Sequence, residues 1–262
     1  MRPLAQAEEK EFASVRFVLT DMDETLTYQG RLHAATYSAL ERLRDAGLIV
    51  IPVTAAPAGW CDQMARMWPV SGVIGENGGF FFRSDPNGHD LKRTFWHSAA
   101  ERDRVEARLK EIARAVQSVA PGARMAQDQP YRLTSVAFVK PDDADLCATI
   151  LDALKSLGAD TTVNNLWVLG WIGGYDKLSM ARRTLAQSYN LNIDDDQGAV
   201  LYSGDSTNDA PMFAFFRHTV GVSTVRNYLS EISTPPSWIT QGPGGSGFVE
   251  IAEAILQARA IS

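Results

Sequence analysis

The stretch FVLTDMDETLT, residues 17–27, decides the fold. Its first residues are apolar or β-branched without helical spacing, which predicts a short strand buried on both faces, as in parallel sheets. Asp21 and Asp23 follow this strand, at the end where open α/β sheets hold their ligands. Two residues apart on an extended chain, both carboxylates point to the same side. An isolated Asp-x-Asp also occurs in turns and helix caps. Whether this one forms a ligand site therefore depends on the rest of the chain.

Apolar strands and helical patterns alternate in the first and last thirds of the chain. Helical spacing covers about 33–46 and 57–68, on either side of the apolar strand LIVIPVT (48–54). Near the other end the pattern predicts a helix over 176–189, a strand over 199–205, a helix from about 207, a strand over 219–223 and a helix from about 247. This alternation predicts a doubly wound parallel sheet, that is, a Rossmann-like α/β core.

The middle of the chain has a different character. It contains a long charged helical pattern (99–119), a β-rich run (131–139), a second helix (143–157) and the run TTVNNLWVLGWI, and none of its strands ends in acids. We expect an inserted α/β cap domain over 84–173. Residues 1–83 and 174–262 then form one discontinuous core.

The composition limits the class of protein. With 262 residues and 45% hydrophobic content, the chain can bury a core without disulfides, and Cys61 and Cys147 lie far apart in sequence. A net charge of −6 without a basic cluster argues against nucleic acid as a partner. There is no signal-like N-terminus and no apolar stretch of about 20 residues, so we expect a cytoplasmic protein without a membrane partner.

Four separated pieces of the predicted core carry groups suited to phosphate chemistry at strand ends or helix starts. They are Asp21 with Asp23, Thr54 before a helix that Pro57 opens, Lys177 at a helix start, and GDSTND with Asp205, Asn208 and Asp209. If these pieces converge, several carboxylates share one crevice, and a hard divalent cation, Mg²⁺, relieves their repulsion. A carboxylate freed to attack phosphorus gives an aspartyl-phosphate, with Lys177 and Thr54 neutralising the phosphoryl oxygens.

In this order, DMDETLT, Thr54, Lys177 and GDSTND resemble the four motifs of the haloacid dehalogenase superfamily of phosphohydrolases. The position of the insert and the run GENGG (75–79) are similar to class IIB members with an α/β cap, which include Cof-like proteins and sugar-phosphate phosphatases of the sucrose-phosphate type. The resemblance covers nearly the whole chain. It implies a Mg²⁺-dependent phosphatase whose partner is a small phosphorylated metabolite, above all a sugar phosphate.

The resemblance also implies a role for each matching residue. Asp21 would be the nucleophile, and Asp23 would protonate the leaving group and then activate water. The metal would be held by the side chains of Asp21 and Asp205 and by the backbone carbonyl of Asp23, with Asp209 behind them or bound through water. The phosphoryl group would be held by Thr54, Asn208 and Lys177, with Asn77 near the junction of core and cap.

One segment departs from the family pattern. Thr54-Ala55-Ala56-Pro57 stands where the family commonly has Thr-Gly-Arg, so one cation is missing. Arg132 of the insert leads the candidates to replace that cation and bind substrate, followed by Asn164 and Asn165. Trp167 and Trp171 either stack on a sugar ring or pack in the core of the insert.

Three other functions use some of the same features. A calcium loop over 21–32 fails on spacing, because Leu26 and Leu32 occupy the positions of the required glycine and glutamate. A non-catalytic phospho-receiver would accept phosphate on Asp21 but would need neither the insert nor Asp23. A sugar phosphomutase would use the same aspartyl-phosphate and stays open. Product analysis separates a phosphatase, which releases free phosphate, from a mutase, which gives an isomerised sugar phosphate, and from a receiver, which gives neither.

Overall fold

The computed structural model describes residues 1–85, 90–164 and 166–261. Its α-helices are α1 (Ala34–Asp45), α2 (Ala58–Met67), α3 (Ala99–Val119), α4 (Ala144–Ser156), α5 (Lys177–Tyr189), α6 (Ala210–Phe215) and α7 (Gly244–Ala260). Its strands are β1 (Arg2–Pro3), β2 (Phe17–Thr20), β3 (Thr27–Tyr28), β4 (Arg31–Leu32), β5 (Ile49–Pro52), β6 (Val73–Gly75), β7 (Phe80–Ser84), β8 (Leu91–Phe95), β9 (Ser135–Val139), β10 (Asp160–Val163), β11 (Trp167–Trp171), β12 (Val200–Gly204), β13 (His218–Gly221) and β14 (Trp238–Ile239).

A six-stranded parallel sheet forms the centre of the molecule. Its strand order is β1-β14-β13-β12-β2-β5, and all five neighbouring pairs are parallel. From β2 the chain adds β5 on one side, and much later it adds β12 on the other. The carboxyl ends of β2 and β12 therefore border the point where strand order reverses, the place at which open α/β sheets bind ligands.

Helices cover both faces of this sheet. Val18 of β2 packs on one face with Leu40 of α1 and Ile255 of α7, and Leu19 packs on the other face with Met180 of α5. Successive strand residues point to opposite faces, so the unbroken apolar run of β2 is buried on both sides. The predicted doubly wound α/β core is confirmed.

A short antiparallel sheet, β6-β7-β8, extends the edge of the core. Val53 forms a parallel bridge with Ile74 of β6, and β7 then pairs with β6 and β8. The rings of Phe80 and Phe82 stack with their centroids 4.1 Å apart and pack against α2. Strand β8 lies beyond residue 84 and still pairs with β7, while the division of the chain at 84 and 173 stays a prediction.

Between β8 and α5 the chain forms a second α/β layer. Its antiparallel sheet has the order β10-β11-β9, and α3 and α4 pack on one face of it. The other face, with Leu169 and Trp171, is buried in a cluster that includes Ala55 of the core. Trp171 stacks on Tyr175 at 5.8 Å between ring centroids. Of the two possibilities for Trp171, the structure therefore shows the buried, packed ring.

Several elements differ from the sequence prediction. Strand β9 begins at Ser135, because residues 129–131 form a 3₁₀ turn, and another 3₁₀ turn (207–209) precedes α6. The hairpin β3–β4 was not predicted; its turn, Gln29-Gly30, has positive φ at both residues (50° and 71°), as tight hairpins require. Cys61 and Cys147 are free thiols. In the described ranges, none of the helices combines the length and apolarity needed to cross a membrane.

Candidate active site

Three buried carboxylates meet at the carboxyl end of the central sheet. Asp21 directly follows β2, Asp205 directly follows β12, and Asp209 ends the 3₁₀ turn that leads into α6. One oxygen from each can be chosen so that all three atoms lie within 4.8 Å of one another. The structure thus brings together acids that the sequence places almost two hundred residues apart.

Lys177 supplies the positive charge of this cluster. It is the first residue of α5, and its side chain is 4% exposed. Its Nζ donates to Asp21 Oδ1 at 2.8 Å and to Asp209 Oδ1 at 2.7 Å. The capping box formed by Asp176 and Ser179 begins the helix at this residue and fixes the direction of the lysine.

Both oxygens of Asp209 are occupied by donors from the protein. Oδ1 accepts from Lys177 and from the Tyr202 hydroxyl at 2.5 Å. Oδ2 accepts from the backbone N–H of Asp205 at 3.0 Å and of Ser206 at 3.2 Å. With four donors, Asp209 holds Lys177 and the loop of Asp205 in place. Its geometry suits support of the other acids rather than direct contact with a metal.

The acids have raised pKa values. Burial, together with the charge of Asp209, raises the pKa of Asp21 to about 7 despite the opposing effect of Lys177. Burial raises the pKa of Asp23 to about 6, and burial with the charge of Asp21 raises that of Asp205 to about 9. For Lys177, burial acts to lower the pKa, but the charges of Asp209 and Asp21 outweigh it and the net pKa is raised.

The donor set fits a hard divalent cation. Asp205 Oδ2 is buried and has no hydrogen-bond partner among the described residues, and such an atom is costly unless something binds it. Asp21 and Asp205 offer carboxylate oxygens, the ligands that Mg²⁺ prefers. A cation here would also offset the burial and the charge repulsion that together raise the pKa of both groups.

The loop after β5 lies beside the acids. Thr54 is fully buried; its Oγ1 accepts from the N–H of Ala56 at 3.0 Å, and its carbonyl accepts from the N–H of Asn77 at 3.0 Å. Pro57 is the N-cap of α2, as the sequence predicted for a helix start. Of this loop, Ala55 reaches the cavity described next.

A cavity of about 460 Å³ opens over the carboxylates. Its lining includes Asp21, Asp23 and Asp205 from the predicted set, together with Asn208. Asn208 Oδ1 accepts from the Ser206 hydroxyl at 2.8 Å, which turns the amide nitrogen toward other partners. Asn164 of the cap also lines the cavity, whereas Asn165 lies outside the described residues.

Asn77 lies at a different cavity. This smaller space, about 220 Å³, is lined by Asn77 and Lys177, by Thr161 and Trp171 of the cap, and by Asn208, which borders both cavities. Asn77 has positive φ (59°), is 4% exposed, and its Nδ2 has no partner among the described residues. The structure therefore places Asn77 at the junction of core and cap but not among the residues that line the larger cavity.

Arg132 belongs to the cap and is buried against the loop after β5. Its Nε and Nη2 bind Asp128 at 3.2 and 2.9 Å, and its Nη1 donates to the carbonyl of Ala55 at 3.0 Å and to Ser135 Oγ at 3.3 Å. The side chain has no exposed surface and lies over the Trp167 ring. All three guanidinium nitrogens thus have protein acceptors, and binding of substrate by Arg132 stays a prediction.

Two residues of this region were not singled out from the sequence. Tyr202 lies in the apolar strand β12, where the sequence pattern predicts a core residue. Its hydroxyl nevertheless donates to Asp209 Oδ1. Glu76 lies in GENGG, is fully buried, and accepts from Ala58 of the core and from residues 133–135 of the cap. The sequence shows only an acid in a glycine-rich turn, which does not by itself predict such a contact.

The chain is similar to several known proteins. The chain is 30% identical over 243 residues to the phosphoglycolate phosphatase of Methanobrevibacter smithii, covering 91% of this chain and 97% of that protein. An HAD/COF-like hydrolase from Plasmodium vivax superposes with a TM-score of 0.67 at 13% identity, covering 97% of this chain and all of that one. A trehalose-6-phosphate phosphatase related protein superposes with a TM-score of 0.62 at 16% identity, covering 94% and 98%. No family model matches the chain.

The fold and the acidic cluster at its strand ends define a phosphoric monoester hydrolase with an α/β core and a cap. The extent and identity of the match to the phosphatase make the relation specific. The chain belongs to the haloacid dehalogenase superfamily. This confirms the resemblance that the four sequence motifs carry.

Proposed function

We propose that this protein is a Mg²⁺-dependent phosphatase that hydrolyses a small sugar phosphate through an aspartyl-phosphate on Asp21. One observation carries the proposal: Lys177 bridges Asp21 and Asp209 beside Asp205 Oδ2, which has no hydrogen-bond partner in the part of the chain that the structure describes. The related protein from M. smithii is named a phosphatase, and one structural neighbour is related to trehalose-6-phosphate phosphatase. These names support phosphate-ester hydrolysis and, for the neighbour, a sugar-phosphate substrate.

The first half of the proposed reaction uses both acids of the first motif. A carboxylate oxygen of Asp21 attacks phosphorus, and the bond from phosphorus to the leaving-group oxygen breaks. Asp23 lines the same cavity, and burial raises the pKa of Asp23 to about 6, so part of the population holds a proton near neutral pH. Asp23 donates that proton to the leaving oxygen, which departs as an alcohol.

The second half returns the enzyme to its starting state. Asp23, now ionised, takes a proton from a water molecule, and the water oxygen attacks the phosphorus of the aspartyl-phosphate. The bond between Asp21 and phosphorus breaks, inorganic phosphate leaves, and Asp21 regains its carboxylate. Lys177, the hydroxyl of Thr54 and the amide of Asn208 are the proposed donors to the phosphoryl oxygens in both halves.

The metal is proposed to be held by the side chains of Asp21 and Asp205 and by the backbone carbonyl of Asp23. When bound, Mg²⁺ neutralises negative charge on the phosphoryl oxygens and orients them for in-line attack. Asp209 keeps Lys177 and the Asp205 loop in position from behind. In this proposal Arg132 anchors the Ala55 loop, and Asn77 acts at the junction of core and cap.

Replacing Asp21 by asparagine tests the proposal. The amide keeps the shape but is not a nucleophile, so phosphate release from p-nitrophenyl phosphate and from a panel of sugar phosphates should fall at least about a thousandfold. Circular dichroism of the variant should match the wild type. Wild-type turnover by the variant would overturn the role of Asp21.

The same panel separates phosphatase from phosphomutase. A phosphatase gives free phosphate and free sugar in equal amounts, whereas a mutase gives an isomerised sugar phosphate.

Excess chelator should stop phosphate release and added Mg²⁺ should restore it, while Ca²⁺ should substitute poorly because it accepts more ligands in looser geometry. Full activity in chelator would contradict the metal requirement.

The free thiols Cys61 and Cys147 support the further proposal that the protein works in the reducing cytoplasm.

A further inference from the structure

The cavity over Asp21 has one carboxylate, that of Glu24, in addition to the proposed catalytic pair and metal ligands. Asp21, Asp23, Glu24 and Asp205 all line its 460 Å³. Glu24 has positive φ (58°), and its Oε1 accepts from the N–H of Gln29 at 2.8 Å. The β3–β4 turn therefore fixes this carboxylate at the edge of the cavity.

Apart from the proposed metal position, the described lining of the cavity offers no cation to a leaving group. Among the described residues that line it there is no lysine, arginine or histidine. Lys177 lies between Asp21 and Asp209 and is 4% exposed. Arg132 has no exposed side-chain surface and binds Asp128 with two of its nitrogens. Neither cation is free to turn toward the part of the cavity away from Asp21.

The rest of the lining is polar and uncharged. Gln29, Asn164 and Asn227 bring amides to it, and Thr224 brings a hydroxyl. Asn164 Oδ1 accepts from the N–H of Leu166 at 2.9 Å and of Trp167 at 2.8 Å, which leaves its NH₂ group to donate. Thr224 Oγ1 is buried and has no partner among the described residues. Amides and hydroxyls bind hydroxyl groups as donors and acceptors without a charge.

We infer that the enzyme selects monophosphates whose leaving group is uncharged and hydroxylated, and that it discriminates against leaving groups that carry a carboxylate. This inference rests on the proposed phosphatase function. A carboxylate in this cavity would lose its hydration without gaining a cation and would face Glu24 and Asp23. Phosphoglycolate, the compound in the name of the M. smithii relative, is such a substrate.

A matched pair of substrates tests this selection. Phosphoglycolate and 2-hydroxyethyl phosphate have the same length and differ in a carboxylate against a CH₂OH group. We expect kcat/KM for phosphoglycolate to be lower by about 100-fold, which corresponds to about 2.7 kcal/mol. The pair of 6-phosphogluconate and glucose 6-phosphate should show the same direction. Equal or higher kcat/KM for the carboxylate compounds would overturn the inference.

The assay separates this inference from the proposed function. p-Nitrophenyl phosphate reports the chemistry at Asp21 with little dependence on the rest of the cavity. Phosphate release from this compound together with a preference for phosphoglycolate overturns the charge selection alone. Absence of release from every compound, p-nitrophenyl phosphate included, overturns the proposed function and the inference together.

Two variants test the source of the selection. Asn227→Lys places a cation on an exposed residue of the lining, and we expect the ratio of kcat/KM for phosphoglycolate over 2-hydroxyethyl phosphate to rise about tenfold. Glu24→Gln removes the fixed negative charge and should raise the same ratio about threefold. Gln117→Lys adds the same cation on the exposed side of α3, outside the cavity lining, and should leave the ratio unchanged. An unchanged ratio in Asn227→Lys would overturn the inference.

Discussion

Replacing Glu76 by glutamine measures how strongly core and cap are joined. Glu76 Oε1 accepts from the N–H of Ala58 at 3.1 Å and of Leu133 at 2.9 Å. Its Oε2 accepts from the N–H and hydroxyl of Thr134 at 2.8 and 2.9 Å and from Ser135 Oγ at 2.8 Å. The side chain is fully buried. Glutamine keeps the shape, removes the charge and turns one acceptor into a donor.

The geometry sets the cost of this change. The glutamine amide has lower energy with its NH₂ group at the position of Oε2, because the hydroxyls of Thr134 and Ser135 can rotate to accept from it. The N–H of Thr134 then stays buried without an acceptor, at about 1–3 kcal/mol. The two bonds to Oε1 lose their charge assistance, about 1 kcal/mol each, and easier burial of a neutral group offsets part of this. We expect a net loss of about 2–4 kcal/mol in the free energy of unfolding.

Urea unfolding followed by tryptophan fluorescence measures the loss. With an m value of about 2–3 kcal/mol per M, the unfolding midpoint should fall by about 1 M. Glu250→Gln is the matched control, because that carboxylate also accepts two backbone N–H groups, of Gln241 and Gly242, but is only half buried. Water replaces the lost acceptor there, so its cost should stay below about 1 kcal/mol. A Glu76→Gln loss no larger than the control's would refute the reasoning.

Three further predictions concern the charged groups. Asp23→Asn should reduce turnover of an alkyl phosphate far more than that of p-nitrophenyl phosphate, whose leaving group needs no proton; equal losses would count against the acid role. Burial raises the pKa values of Asp23, Asp21 and Asp205 to about 6, 7 and 9. The contribution of these acids to stability is therefore fully present below their ordinary pKa near 3.8 and is lost as pH rises toward 9. The Tm measured in chelator should fall over this pH range, and Mg²⁺ should reverse the fall. A Tm in chelator that does not fall would exclude this linkage. Arg132→Ala should cost about 3–5 kcal/mol in urea unfolding, since Asp128, whose side chain is 14% exposed, loses its partner; a cost below 1 kcal/mol would show that the pair is dispensable.

The sequence predicts the acidic cluster because parallel strands bring their carboxyl ends to one edge. Asp21 and Asp205 each follow an apolar strand directly, so the sheet type puts both at the same edge, and the neighbouring positions of β2 and β12 bring them close together. The charged helical pattern over 99–119 predicts helix α3 with its observed bounds, and the structure shows a capping box of Ser98 and Glu101 at its start. In both cases the signal at each position is local: an acid directly after an apolar strand, or a helical pattern in one continuous segment.

The contacts between core and cap could not be predicted in this way. Glu76 and Thr134 lie 58 residues apart, and nothing local marks them as partners. A β-carbon at Gly79 would clash with the Thr134 side chain, so the close approach depends on a glycine whose purpose appears only in three dimensions. Arg132 was predicted near the Thr54 loop for its charge, but its position also depends on Asp128 and Ala55, which the sequence does not connect with it.

The pairing of β2 with β12 has a consequence for synthesis of the chain. Val18 lies opposite Leu201, so the two strands that carry Asp21 and Asp205 belong to opposite ends of the polypeptide. As the ribosome releases the chain from its N-terminus, one edge of β2 stays open until the last quarter has emerged. The antiparallel sheet of β9, β10 and β11 comes from residues 135–171, which are all released before β12. A chain that stops before β12 would therefore contain every strand of the cap and no assembled acidic cluster.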